Sequence, residues 1–386
     1  MTIHRDFIEQ NFNEWVHIRR HLHAHPELSH QEKNTATFIS EKLKSWGVSH
    51  QTNIAGHGIS GIIQPEETDI TSTIVLRADM DGLPIQEMHD VEYASKISGV
   101  MHACGHDVHM TILLATIQYL HIHRNKLTQP VRFLFQPAEE KAPSGAKAVM
   151  QTGILHGVTA IYGLHVSPEL PTGTLGFCQG PFMASSNELH LCFYGMGGHA
   201  AQVNIKQNSL FAASEWLSFA ETLNSKENQL RINFGKIAGC GATNVVPEKV
   251  EISGTLRSFN EKQRLECIQM LQHKAEEISG RRNIRIDFML PEGYPVLVNH
   301  PELCEELQKT ISERAGHIHC ISIPQRYGSE DFAWYTQEIP GCFIRLGTGN
   351  ADGSQTTSLH KPDFDVDENS IKAGVETFIL ACNLHS

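Results

Sequence analysis

The eight residues His102-Ala103-Cys104-Gly105-His106-Asp107-Val108-His109 constrain this chain more than any other stretch. They gather a thiol, three imidazoles and a carboxylate, and the apolar run 110–120 behind them reads as a largely buried helix. Thiolate and imidazole are the ligands that borderline-soft divalent metals prefer. Gly105 permits a tight bend, so the heads of Cys104 and His106 can converge on one ion. Alone, the stretch fits a His-rich loop around a buried cysteine equally well. The remaining motifs decide between the two.

Those motifs recur at the ends of strand-like runs. Runs 58–63 and 73–77 are separated by a polar loop at 66–69, and the second leads into Arg77-Ala78-Asp79-Met80-Asp81. Strand 131–136 ends in Pro137-Ala138-Glu139-Glu140, and strand 160–164 ends at His165. Ligand-type residues just past the carboxyl ends of strands stand where open α/β sheets build their sites. Adjacent carboxylates such as Glu139 and Glu140 reach one point only at a turn, where one can ligate while the other moves protons. His21, His23 and His25 close a helix over 9–25 and read as solvated or satisfied imidazoles. A second helix is expected over 31–46. The stretch Gly347-Thr348-Gly349 reads as a loop and, with Gly353, makes no dinucleotide fingerprint, because no helix opens from it.

From 182 to 294 the pattern changes to β-α-β-β-α-β with half-exposed strands, the order of a split βαβ sandwich. A chain of 386 residues favours two domains. The expectation is an α/β catalytic domain with helices on both sheet faces, formed by 1–181 and 295–386, and an inserted α+β, ferredoxin-like domain at 182–294. A formal charge of −12 argues against nucleic-acid and anionic-membrane partners. The 9 scattered cysteines form no CxxC pair, and residues 1–6 lack a leader pattern, so a cytoplasmic location is expected. No apolar run is long enough to span a bilayer.

In order along the chain, HACGHDVH, QPAEE, GLHV, GGHAA, GATNVVPE, GSEDF and SLHKP resemble the amidohydrolase branch of the aminoacylase and carboxypeptidase-G type metallopeptidases. That branch includes hippurate hydrolases, hydrolases of auxin–amino acid conjugates and N-acetyldiaminopimelate deacetylases. The resemblance implies a two-metal fold with an inserted lid that also dimerises. It implies that Cys104 bridges two divalent ions (Zn²⁺, Mn²⁺, Co²⁺ or Ni²⁺), with Glu140 and His360 completing one and His106 and His165 the other. Glu139 falls on the general base, and His199 on a residue that reaches across a homodimer interface to polarise the scissile carbonyl. Asn244 and Arg257 fall on contacts to the substrate carboxylate. The implied reaction is hydrolysis of a small N-acyl amino acid. A dipeptidase or carboxypeptidase using the same machinery is the alternative, and a catalytically silent metal-binding relative a more distant one.

Departures from the wider family are visible. Arg77-Ala78-Asp79 stands where a His-x-Asp motif is usual, so Asp79 is not assigned as a ligand. Val203-Asn204 and Asn208-Ser209 replace Pro-His and Asp-Pro, and Lys141-Ala142-Pro143-Ser144 replaces a glycine-rich loop. The last two changes bear on substrate identity.

Overall fold

The computed structural model describes residues 3–65, 72–224, 229–350 and 357–382. Met1, Thr2, the 66–69 loop and Gly353 lie outside these residues. The chain divides into two units, one formed by residues 1–180, 298–324 and 331–386, the other by 181–297 and 325–330.

The first unit is built on an eight-stranded sheet. Its order is Gln51–Ile54, Gly58–Ile63, Val131–Gln136, Thr73–Asp79, Val158–Pro171, Gly341–Gly349, Thr174–Phe177 and His319–Ser322. The central strands, from Val131–Gln136 to Gly341–Gly349, run parallel. All seven residues of Thr73–Asp79 are buried, as a strand covered on both faces requires. Ile74, Leu76 and Ala78 join the main apolar core. On that side the buried helix His106–Ile122 packs against the helices Ile3–Ala24 and Ser370–Ala381. On the alternate side Arg77 meets Phe332, with its guanidinium 5.8 Å from the ring centroid. The helix Gly145–Gln151 packs there against Ala333–Thr336. The sheet therefore carries helices on both faces.

Three local expectations change, the first being that His165 does not end a strand but lies inside Val158–Pro171. The helix begins at His106, four residues before the apolar run, with Gly105 as its left-handed N-cap (φ 82°). Gly347 and Gly349 are the end of a strand rather than a loop. A Cβ on Gly347 would stand 2.2 Å from the Pro171 carbonyl oxygen, so glycine serves close backbone approach there.

The second unit is an antiparallel sheet ordered Arg231–Ala238, Lys249–Arg257, Asn187–Tyr194, Arg285–Met289. Leu189, Leu191 and Phe193 alternate inward against Trp216, Leu271 and Ile278 of the helices Ser209–Thr222 and Glu261–Arg282. Trp216 donates its indole N–H to the Leu271 carbonyl at 3.1 Å. In chain order the strands lie 2-3-1-4, with both helices on one face, which is the ferredoxin-like α+β arrangement. Among the described residues no helix is long and apolar enough to cross a membrane.

Candidate metal centre

Each donor of the first unit reaches the site through a distinct local device. Cys104 lies in the turn before the His106–Ile122 helix, and Gly105 is kept small by Val166, whose Cγ2 would stand 2.4 Å from an added Cβ. Glu139 and Glu140 follow Ala138, which has φ 53°. That left-handed step turns the chain at the end of Val131–Gln136 so that neighbouring carboxylates face the same way. His165 sits mid-strand in Val158–Pro171. His360 has φ 62°, and its amide donates to Ala103 O at 2.8 Å.

These devices converge. Cys104 Sγ lies 3.3 Å from His165 Nε2 and 3.2 Å from His360 Nε2. Glu140 Oε1 is 3.6 Å from His360 Nε2 and 3.8 Å from His106 Nε2, and Glu139 Oε2 is 4.0 Å from His106 Nε2. Two donor triads share the thiol: Cys104 with His106 and His165, and Cys104 with Glu140 and His360, each with its atoms within 4.8 Å of one another.

The electrostatics are those of a site short of positive charge. Burial, together with Glu140 and Glu139, pushes the Cys104 thiol well above its usual value. Burial raises the Glu140 carboxyl to about 7. Burial opposes a charge on His106, yet Asp79, Asp81 and Glu140 outweigh it and raise that imidazole to about 10. His106 Nε2 and Glu140 Oε1 are buried without a hydrogen-bond partner, although buried polar atoms are nearly always paired. Divalent cations would neutralise the carboxylates, displace the protons and take the orphaned lone pairs. The residues present therefore fit a metal pair.

A second layer fixes the donors. His165 is kept neutral, chiefly by burial. Its Nδ1–H donates to Val166 O at 2.8 Å, which leaves Nε2 free to ligate. The Val166 amide in turn donates to His109 Nε2 at 3.0 Å, and His109 Nδ1–H donates to Asp79 Oδ1 at 2.6 Å. Both His109 nitrogens are thus occupied, and the third imidazole of the opening motif braces rather than ligates. Asp81 accepts the Glu139 amide at 3.1 Å, the Glu140 amide at 2.9 Å and the Ser29 hydroxyl at 2.6 Å. Its Oδ1 also lies 3.4 Å from His106 Nδ1. Asp331 gathers Arg77, Gln136, Ser144 and the Ala146 amide at 2.8–3.0 Å, and its own amide approaches Glu139 Oε1 at 3.4 Å. His23 is satisfied by Asp107 at 2.8 Å and Glu87 at 3.2 Å. The sequence flagged Asp79 and Asp81 at a strand end and His109 in the opening motif. Nothing in the sequence itself showed that they would brace other residues.

The remaining sequence candidates lie in the second unit. His199 and Asn244 are exposed. His199 pairs with Val245 in a two-residue ladder, and the Ala200 amide donates to Asn244 O at 2.9 Å. Arg257 ends the Lys249–Arg257 strand, with Nη1 buried and unpartnered.

Residues 75–383 match peptidase family M20/M25/M40. The chain belongs to this family. It is 35% identical over 377 residues to IAA-amino acid hydrolase ILR1-like 4 of Arabidopsis thaliana, covering 94% of this chain and 84% of that protein. It is 34% identical over 373 residues to N-acetylcysteine deacetylase of Bacillus subtilis, covering 94% of each. Among solved structures, the Bacillus subtilis YXEP protein, a dinuclear metal-binding peptidase of the M20 family, superposes with a TM-score of 0.84 at 31% identity, covering 97% of this chain and 98% of that one. This M20 chain is a metal-dependent hydrolase of amide bonds.

Proposed function

We propose that this M20 enzyme is an N-acyl-amino-acid amidohydrolase holding two divalent ions per subunit, which releases an amino acid from an acetyl, aryl or similar cap. The observation that carries the reading is the thiol of Cys104 standing between His165 and His360 at 3.3 and 3.2 Å, with Glu140 and His106 completing two donor sets around it. Cys104, Glu140 and His360 would hold one ion, and the same thiol with His106 and His165 would hold the other. When bound, the ions supply Lewis-acid polarisation of the scissile carbonyl and acidify a water.

The protein's own groups carry the proton traffic. Glu139, beside the donors but outside both shared-thiol triads, takes a proton from the attacking water and returns it to the leaving amine. His199 donates a hydrogen bond to the oxyanion, reaching a partner subunit's substrate in a homodimer formed through the inserted domain. Asn244 and the Arg257 fork hold the free carboxylate. The relatives that hydrolyse N-acetylcysteine and IAA–amino acid conjugates support an acylated amino acid as substrate.

The test is a panel of N-acetyl-, N-benzoyl- and unblocked dipeptide substrates, assayed on chelator-stripped enzyme reloaded with Zn²⁺, Mn²⁺ or Co²⁺. Acylated amino acids should be turned over fastest, with about two metals per chain restoring activity. Dipeptides hydrolysed well above every acylated compound would overturn the assignment.

A further inference from the structure

On the helix-free face of the second unit's sheet, two arginines oppose each other with no carboxylate between them. Arg231 and Arg257 are direct partners in the antiparallel register, so their Cβ atoms stand about 4.5–5.5 Å apart on one face. Their neighbours Ile232 and Leu256 are buried in the unit's core, which turns both arginines away from the helices. Like charges directly across a ladder destabilise it, and a guanidinium cannot shed its charge.

The usual remedies are missing. Arg257 Nη1 is buried and has no hydrogen-bond partner, and burial lowers its affinity for a proton. Glu188, opposite Thr255 on the next strand, favours the Arg257 charge only from beyond ion-pair distance and bonds His190 at 3.0 Å. Arg231 is held over the Tyr327 ring, 3.5 Å from its centroid, and Tyr327 is braced by Phe259 at 4.9 Å. Among the described residues, no carboxylate lies within ion-pair distance of either guanidinium. A planar charged fork fixed against an aromatic wall, beside a second fork with an orphaned N–H, is prepared for an anion.

We propose that Arg231 is a specificity-determining residue that receives a second carboxylate, on the side chain of the released amino acid, while Arg257 holds the α-carboxylate. The preferred substrates are then N-acyl derivatives of dicarboxylic amino acids. This rests on the reading of Arg257 given above.

N-Acetyl-L-glutamate and its neutral isostere N-acetyl-L-glutamine discriminate the possibilities on the full-length, metal-loaded enzyme. A charge-assisted hydrogen bond contributes about 1.5–3 kcal/mol, so the wild type should favour the glutamate derivative about tenfold or more in kcat/KM. In Arg231→Gln this preference should vanish because KM for N-acetylglutamate rises while kcat holds. Arg231 is exposed, so the variant should fold, which its melting temperature will check. Arg231→Lys, which keeps the charge but loses the fork, should retain part of the preference. Equal turnover of the two compounds by the wild type overturns the inference, as does an equal loss on both in Arg231→Gln. If Arg257→Gln leaves KM unchanged for both compounds, the α-carboxylate assignment fails instead, and the Arg231 comparison reports that separately.

Discussion

In the first unit Cys104, His106 and Glu139 are buried, and Glu139 and His165 are gripped by further groups, whereas in the second unit His199 stands exposed on a two-residue ladder and Asn244 exposed beside it. The contrast fits the proposed roles, ions for the first set and substrate for the second. Ions need donors fixed to within a few tenths of an ångström, and that precision comes from interlocked hydrogen bonds such as Asp79–His109–Val166–His165. Substrate contacts must stay open to solvent until something arrives. Damage to the two regions should therefore register differently, as lost metal in the first and as altered kinetics with metal retained in the second.

Glu139 is the sharpest probe, because it sits among the donors yet is assigned to proton transfer. Glu139→Gln should keep both ions, measured by elemental analysis, and lose about two to four orders of magnitude in kcat. Metal lost along with activity would make Glu139 a ligand and remove the distinction. His199→Ala comes next, with an expected loss of about 10²–10³ in kcat and unchanged metal content. A drop in metal occupancy in that variant would break the separation between the units.

Asp81 tests the bracing itself. One carboxylate accepts the amides of both Glu139 and Glu140 and faces His106. An asparagine has a single acceptor oxygen, so one of those amides loses its partner in Asp81→Asn. The variant should bind its ions about 10–100-fold more weakly, read by chelator competition. Ion affinity equal to wild type would mean that the Glu139–Glu140 turn holds its shape unaided.

Part of this was legible in the sequence, and the division has physical causes. The candidate donors announced themselves by residue type, and Glu139 and Glu140 by their place after a strand, whereas His165, read as a strand end, lies inside Val158–Pro171. The start of the His106–Ile122 helix was hidden because its first turn is occupied by site residues rather than by an apolar stripe. Gly347 and Gly349 misled because glycine is a local turn signal, while the carbonyls they approach, Pro171 O and Pro168 O respectively, lie far away in the chain. The same holds for Asp331, whose partner Gln136 is 195 positions distant. Telling His109 from the candidate ligands beside it required accounting for both ring nitrogens, and one of them is satisfied by the backbone of another strand.

The smallest expected effect concerns Glu32, on the rim of the braced region. Its Oε1 accepts the Ala138 amide at 2.8 Å and the His30 amide at 3.0 Å, while Oε2 is buried without a partner. Burial raises its carboxyl to about 7 from an ordinary 4.5. A carboxyl raised in the folded state holds its proton more tightly there than in the unfolded chain. Its contribution to stability is therefore full below pH 4.5 and is lost as pH climbs to about 7. Glu32→Gln keeps an acceptor for the two amides but cannot ionise, so it lacks this term. The wild type should lose its melting-temperature advantage over Glu32→Gln by a few degrees between about pH 5 and pH 8, with all other titrating groups cancelling in the comparison. A difference that stays constant across that window would mean Glu32 remains ionised in the fold, held by its two amide donors against the cost of burial.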